Sequence, residues 1–469
     1  MKIHFIYPDV ETYYYPGVHH GLAQIFSVLK SQGQLVSFHH VKTKPSKNEI
    51  LDIIRQKKPD LIGFTAMTNQ IDYVDLWSKW IKQEFDTPII CGGLHTTLQP
   101  EEIISFEGVD MICRGEGEYA LLELAENWGR DTDNIKSLWV KNGSSVRKND
   151  LRPLVSNLDE LPYPDYDLFD CEHILKDRRG DFAVLVSRGC PFRCSYCCNH
   201  ALKTIQKGKY FRYRSVDNVL QQLELLTSKY PIRHFSFADD IFGLVKDWVL
   251  EFCEKYPEKF ELEFDCNLRA DTIDEELLRS LKNANCTQIN MGIEAGNEWL
   301  RKEILHRKMS NKQIIDAFDT AHKLGIKTRA YNMIGLPYET PEMIEETINL
   351  NKRVAPDQIA IFYFYPYPGT ELYEICRKES FLDSKHSASY VSESVLSLPT
   401  ISSRELEKVY AKFYRYMITR EIQSFHPLLR YPAKIINVVL GRFLGRYAIE
   451  LVMKIYLKFF SFFRFLKRG

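Results

Sequence analysis

The sequence lacks the features that would place it in several common classes. No stretch of about 18 uncharged apolar residues occurs, so no membrane-spanning helix is predicted. The opening run Met1–Val10 is too short for a secretory signal and meets an acid at Asp9, so a cytoplasmic protein is expected. Neither sign of charge is in excess: Lys plus Arg and Asp plus Glu each number 62, so no overall field favours nucleic acid, and none is expected as a partner. Low-complexity tracts are absent, and a hydrophobic content of 45% is ample for buried cores. Eleven cysteines without an export signal read as reduced thiols rather than a disulfide framework.

A length of 469 residues suggests about two to four domains. Residues 1–150 alternate short apolar runs with helical patterns. Strands are predicted at Lys2–Tyr7, Leu35–Val41, Asp60–Phe64, Pro88–Cys91, Val109–Cys113 and Ser137–Lys141, with helices such as Gly21–Ser31 and Asp72–Phe85 between them. This rhythm predicts an α/β, doubly wound parallel sheet with ligands at the carboxyl ends of its strands. Residues 151–182, with three prolines and a string of acids, read as a linker. A second alternation over 183–389 places strands at Ala183–Ser187, His234–Ala238, Phe260–Asp265, Gln288–Ile293, Lys327–Met333 and Gln358–Tyr363. Six βα units in series predict a (β/α)6 partial TIM barrel with its chemistry at the strand ends. Residues 390–469 show no strand alternation and are expected to be helical.

The segment Ser187–His200 carries Cys190, Cys194 and Cys197 in a C-x3-C-x2-C spacing. Three thiolates on one loop can each bind one iron of a 4Fe–4S cube and leave the fourth iron open to a chelating small molecule. The alternative from the residues alone is a structural zinc site completed by His200. Cys198 is expected to be a bystander, and the scattered remaining cysteines are expected to be small buried hydrophobes.

With an aromatic (Tyr196) before its third cysteine, this motif resembles that of the radical S-adenosylmethionine (SAM) superfamily. Segments Phe235–Phe242, Cys266–Asp271, Met291–Gly296, Gly335–Glu339 and Tyr365–Thr370 follow in order and resemble the strand ends of its cobalamin-associated branch. Two Gly-rich loops, Cys91-Gly-Gly-Leu-His-Thr-Thr97 and Arg114-Gly-Glu-Gly-Glu118, similarly resemble that branch's cobalamin-binding domain. The resemblance implies that Cys190, Cys194 and Cys197 hold a 4Fe–4S cluster whose open iron takes SAM. It places Tyr196, Asp239, Asp240, Arg269 and Glu294 around SAM, and Gly92, Gly93, His95, Thr96, Gly115 and Glu116 around cobalamin. The D-x-H-x-x-G motif whose histidine ligates cobalt in many cobalamin proteins is missing, although His19, His20, His39, His40 and His95 are present. A different lower ligand, none, or a domain without cofactor are the options this leaves.

The implied activity is reductive cleavage of SAM, with an electron donor such as flavodoxin or ferredoxin. Methyl transfer to an unactivated carbon or a phosphinate phosphorus of a natural-product or lipid-type substrate is expected. The alternatives are a cobalamin-dependent radical cyclisation or rearrangement without methyl transfer, and a non-catalytic, membrane-associated metal-binding protein. Methylthiolation of tRNA fits less well, because only Cys91 and Cys113 precede the linker and those enzymes bring three further cysteines there.

The charge balance hides an asymmetry at the C-terminus. From Pro427 to Gly469, nine basic residues stand against Glu450 alone, so this stretch is +8 and residues 1–426 are −8. Charges at Arg442, Arg446, Glu450, Lys454 and Lys458 share one helical arc opposite Phe443, Ile449, Tyr456, Phe459 and Phe463. A basic, aromatic-rich amphipathic helix at a membrane surface is expected. Deleting Arg442–Gly469 should move the protein from the membrane to the soluble fraction, and an unchanged distribution would sink that expectation.

Overall fold

The computed structural model describes residues 1–10, 17–130, 132–382 and 393–423. Its first sheet comprises β1 (Lys2–Pro8), β2 (Leu35–Val41), β3 (Leu61–Thr65), β4 (Ile89–Gly92), β5 (Met111–Cys113), β6 (Leu138–Asn142) and β7 (Ser145–Lys148). Their order across the sheet is β2-β1-β3-β4-β5-β6-β7, and the first five are parallel. Alternate residues feed two cores. Ile3, Phe5, Leu61 and Ile90 pack with Leu22, Phe26 and Leu124 on one face, whereas Ile6, Ile62, Phe64 and Ile89 pack with Ile54, Trp77 and Ile103 on the other. Helices therefore cover both faces, and β3 is buried along its whole length, as a doubly wound sheet requires.

The edge of this sheet differs from the parallel arrangement expected. β6 runs antiparallel to β5 and turns through Asn142-Gly143, with Gly143 at φ +61°, into a further strand, β7. Apolar periodicity encodes which face a strand buries and carries no information about its direction, and an antiparallel edge on a parallel sheet is common.

Residues 151–182 are firmly packed, although their composition reads as a linker. The helix Cys171–Asp177 forms within them, and Tyr166, Phe169, Ile174 and Leu175 join the same core as Phe26, from the helix that covers the first sheet, and Phe182 of the second sheet. Lys30 adds an ion pair to Asp165 at 2.6 Å.

The second sheet begins with β8 (Asp181–Val184); two short antiparallel strands, β9 (Ser187–Arg188) and β10 (Arg212–Tyr213), stand outside it. It continues with β11 (His234–Phe237), β12 (Glu263–Leu268), β13 (Cys286–Glu294), β14 (Lys327–Ile334) and β15 (Gln358–Tyr363). All six main strands are parallel and in sequential order, a partial barrel. The single strand predicted at Ala183–Ser187 is divided, because the backbone N–H groups of Val186 and Ser187 donate to the side chain of Asp239. Helix Ser403–Gln423 covers the far edge, where Phe413 packs with Ile361 and Tyr410 stacks on Tyr363 at 4.7 Å. Among the described residues, no helix is long and apolar enough to cross a membrane. The predicted amphipathic helix over 442–469 lies outside them.

One buried glutamate ties the end of β14 to this C-terminal region through its backbone. Glu339 Oε2 accepts hydrogen bonds from the backbone N–H groups of Gly335 (2.7 Å) and Leu336 (3.1 Å), and its carbonyl accepts one from Thr400 Oγ1. Oε1 is buried without a partner, and burial pushes the carboxyl pKa up to about 8. The folded state thus favours the protonated form, so stability falls as pH rises from the ordinary carboxylate range through about 8. The melting temperature should drop between about pH 5 and pH 9, and Glu339→Gln should flatten that slope; an equally steep variant would contradict this.

Candidate active site

β9 leads into Gly189, which sits at φ +81°; a Cβ there would lie 2.5 Å from the carbonyl oxygen of Tyr210, so only glycine fits. The loop beyond carries Cys194 buried and Cys190 and Cys197 half-buried, all three as free thiols. A turn closes the C-x2-C portion, with Cys197 N–H donating to Cys194 O at 3.1 Å. Ser195 anchors the loop to the barrel: its N–H and Oγ donate to the carbonyls of Leu305 (3.3 Å) and Ile304 (2.5 Å), and its own carbonyl accepts from Leu372 N–H. Arg269 supplies a local cation. Its Nη1 lies 3.6 Å from Cys194 Sγ, its guanidinium stacks 3.7 Å from the Phe192 ring centroid, and Asp271 grips it in bidentate fashion at 3.0 and 2.8 Å. Cys198 starts the helix Cys198–Ile205, which also holds His200.

Tyr196, between the second and third cysteines, meets the end of β13. Arg307 Nη1 donates to Tyr196 Oη at 3.3 Å and lies 3.9 Å from Glu294 Oε1, while Nη2 donates to the carbonyl of Gly292 at 2.7 Å. Burial raises the Glu294 pKa, against the opposing pull of Arg307 and Tyr196. Glu294 also adopts φ +64° beyond a register shift in β13. A non-glycine residue held there costs about 1–3 kcal/mol, and such strain collects at functional sites. Arg307 belongs to no motif visible in the sequence, because its partners are 13 and 111 residues away.

The two aspartates that end β11 diverge. Asp239 is buried and accepts from Val186 N–H, Ser187 N–H and Ser187 Oγ, so its oxygens are taken up by the cysteine loop's own stem. Asp240 is exposed at the barrel mouth.

The Gly-rich loops of the first sheet line a cavity of about 300 Å3, together with Phe5, Phe64, Leu121, His20 and, from the barrel side, Arg188 and Arg214. Gly92, Gly93, Gly115 and Glu116 line it; His95 and Thr96 do not. His95 is buried with both ring nitrogens occupied, Nδ1 by Thr68 Oγ1 (3.0 Å) and Nε2 by Glu102 Oε2 (2.9 Å). Thr96 Oγ1 donates to the carbonyl of Gly92. His20 does face the cavity, its Nδ1 fixed by Tyr166 Oη at 3.0 Å.

The two halves meet in an ionic joint. Arg188, two residues before Cys190, reaches Glu116 (2.7 Å) and Glu118 (2.6 Å) on the second Gly-rich loop, and Arg212 adds two contacts to Glu116. Burial alone would raise the Glu116 carboxyl, but the two guanidiniums outweigh it and hold it below the usual range.

Comparison with known proteins agrees with this arrangement. The radical SAM superfamily model matches residues 184–350, and the B12 binding domain model matches residues 8–125. An uncharacterized methyltransferase of Pyrococcus horikoshii is 29% identical over 84% of this chain and 86% of its own length. The anaerobic magnesium-protoporphyrin IX monomethyl ester cyclase of Cereibacter sphaeroides is 24% identical over 76% of this chain, which spans 60% of that protein. Among solved structures, the cobalamin-dependent S-adenosylmethionine radical enzyme OxsB, with aqua-cobalamin and S-adenosylmethionine bound, shares the fold. The TM-score is 0.71 at 17% identity, over 98% of this chain and 75% of that one.

The joint carries a stability expectation. The Arg212 side chain is 4% exposed, and its removal leaves Arg188 as the one cation paired with Glu116; breaking such a buried pair costs about 3 kcal/mol. Arg212→Met should therefore unfold at distinctly lower denaturant with an unchanged slope; an unaltered midpoint would show the joint to be energetically idle.

Proposed function

Since the chain is a radical SAM superfamily protein that carries a B12-binding domain, we propose that it is a cobalamin-dependent methyltransferase. Its target is an unactivated carbon, or a phosphinate phosphorus, of a small-molecule substrate. The observation that carries this reading is the joint: Arg188 ties the stem of the cysteine loop to a Gly-rich loop that lines the cavity. Both cofactor sites therefore open on one interface.

The donor set fits a cluster. Cys190, Cys194 and Cys197 are free thiols on a loop held by three backbone-directed hydrogen bonds through Ser195, beside the cation of Arg269. These three would hold the 4Fe–4S cluster. The cavity also fits part of a corrinoid: glycines let the backbone approach closely, and its apolar wall of Phe5, Phe64 and Leu121 suits the flat nucleotide arm. Gly92, Gly93 and Gly115 are the contacts favoured there. Glu116 acts through Arg188, and the occupied ring of His95 favours a supporting role for it and for Thr96. When bound, the reduced cluster supplies the electron that cleaves SAM to methionine and a 5′-deoxyadenosyl radical, and cobalamin carries the methyl group.

This chain's residues orient and shield. Tyr196 presents its ring beside the cluster loop, and Arg307 locks its hydroxyl to the Glu294 carboxylate, the group offered to the SAM ribose. Asp240 is the exposed acceptor for the SAM ammonium, while Asp239 holds the loop stem. Arg269 remains paired with Asp271 and adds positive charge beside the thiolates. A flavodoxin- or ferredoxin-type donor serves the reaction in the cytoplasm, with the basic C-terminal segment able to meet a membrane surface.

The cyclase similarity is the specific observation behind a second reading, radical cyclisation without methyl transfer. The match to the Pyrococcus methyltransferase covers most of both chains and favours the first. Anaerobically reconstituted protein should be brown and, once reduced, should release 5′-deoxyadenosine from SAM. Cys194→Ala should lose both properties while keeping the far-ultraviolet circular dichroism of the parent. After incubation with hydroxocobalamin, the parent should keep a corrin absorbance through gel filtration. Colour and cleavage that survive in Cys194→Ala would overturn the cluster assignment, and loss of the corrin absorbance on gel filtration of the parent would overturn the cobalamin assignment.

A further inference from the structure

The barrel side of the cavity holds a cation that, among the described residues, no carboxylate contacts. Arg214 follows β10, lines the cavity and is 4% exposed, yet among the described residues it makes no ion pair. Its N–H groups go to neutral oxygens. Nη1 donates to Leu161 O (3.3 Å) and Asn218 Oδ1 (2.9 Å), and Nη2 donates to Gln24 Oε1 (3.0 Å) and Pro162 O (3.4 Å). The Tyr163 ring lies 5.8 Å from Cζ. Asp159, which exerts an electrostatic pull on Arg214, uses both of its oxygens on Ser215 N–H at 3.0 and 3.3 Å.

The neighbouring arginines sharpen the imbalance. Arg188 and Arg212 share Glu116 and Glu118 in direct contact, whereas Arg214 has no carboxylate in contact and feels only the more distant charge of Asp159. Arg301 is a useful contrast: it too is buried among carbonyls, but Glu298 lies 3.9 Å away and no part of it reaches the cavity. Burying a cation without a counter-ion is unfavourable, and a guanidinium is the side chain best shaped to bind phosphate. Gln24 and the His20–Tyr166 pair stand on the same wall as neutral hydrogen-bonding groups.

We propose that Arg214 is an anion-recognition residue that takes a phosphate group entering the cavity. Resting on the function proposed above, the phosphodiester of a corrinoid's nucleotide arm is one source of that group, and free inorganic phosphate is the other. In this arrangement the barrel, through Arg214, reads a cofactor that the glycines of the first sheet cradle.

Binding to the full-length protein tests this without recourse to turnover. The probes are hydroxocobalamin, hydroxocobinamide, which lacks the phosphate, ribose and base, and inorganic phosphate. Affinities are read from tryptophan fluorescence quenching and from corrin absorbance retained on gel filtration. The parent should prefer hydroxocobalamin, and Arg214→Met should weaken hydroxocobalamin by about tenfold or more while leaving hydroxocobinamide unchanged. Arg214→Lys should recover part of the loss. Equal weakening of both corrinoids would reveal a merely structural arginine and overturn the proposal, as would no weakening at all. If the parent binds neither corrinoid, the cobalamin reading fails. The anion site itself then stands only if inorganic phosphate raises the melting temperature of the parent and not of Arg214→Met, and falls if phosphate raises neither.

Discussion

The contact on which the rest depends is the forked pairing of Arg188 with Glu116 and Glu118. A guanidinium in this setting is a rigid two-pronged connector, and both prongs land on one loop of the first sheet. Its own backbone belongs to β9, immediately before the cysteine loop. Any displacement of the Gly-rich loop is therefore transmitted to the stem that carries Cys190 within a few covalent bonds. Arg212 and the Val155 N–H complete the ring around Glu116 and leave its oxygens no freedom to rotate.

Around that connector the barrel mouth is built by replacing regular ladder bonds with side-chain bonds. Asp239 interrupts the first barrel strand by accepting from Val186 and Ser187, which frees the chain to leave the sheet and form the loop. At the other side of the mouth, the register shift near the end of β13 turns Glu294 into a left-handed conformation facing Arg307 and Tyr196. Each departure is locally unfavourable; the first is stabilised by the hydrogen bonds to Asp239 and the second by the charge of Arg307. The mouth is stiff for that reason, as the placement of reacting groups demands.

Much of this was legible in the sequence, and the limits have physical causes. Strands Leu35–Val41 and Gln358–Tyr363 matched their predicted bounds, the second because its burial follows a simple alternation. The direction of β6 was not legible, since a strand buries the same faces either way. Composition made 151–182 look like a free linker, yet prolines and acids there alternate with Tyr166, Phe169 and Ile174, which are buried. The cysteine loop was legible because its three thiols lie within eight residues. Arg307 and Arg214 were not, since each acquires its meaning from partners brought together only by the fold. His95 looked like a loop residue open to a ligand, and the structure spends both of its nitrogens on Thr68 and Glu102.

The core shared by the two sheets has an evolutionary and practical consequence. Phe26, Phe169 and Phe182 come from the first sheet's helix, the connecting segment and the first barrel strand, yet they lie in one apolar cluster. A gene fusion that exchanged either half alone would leave an unmatched aromatic surface at the seam. Recombination within such a chain is therefore most readily tolerated when the connecting segment travels with one partner and its contact residues co-adapt. The same seam makes the molecule a poor candidate for modular grafting, even though its two halves look separable on paper.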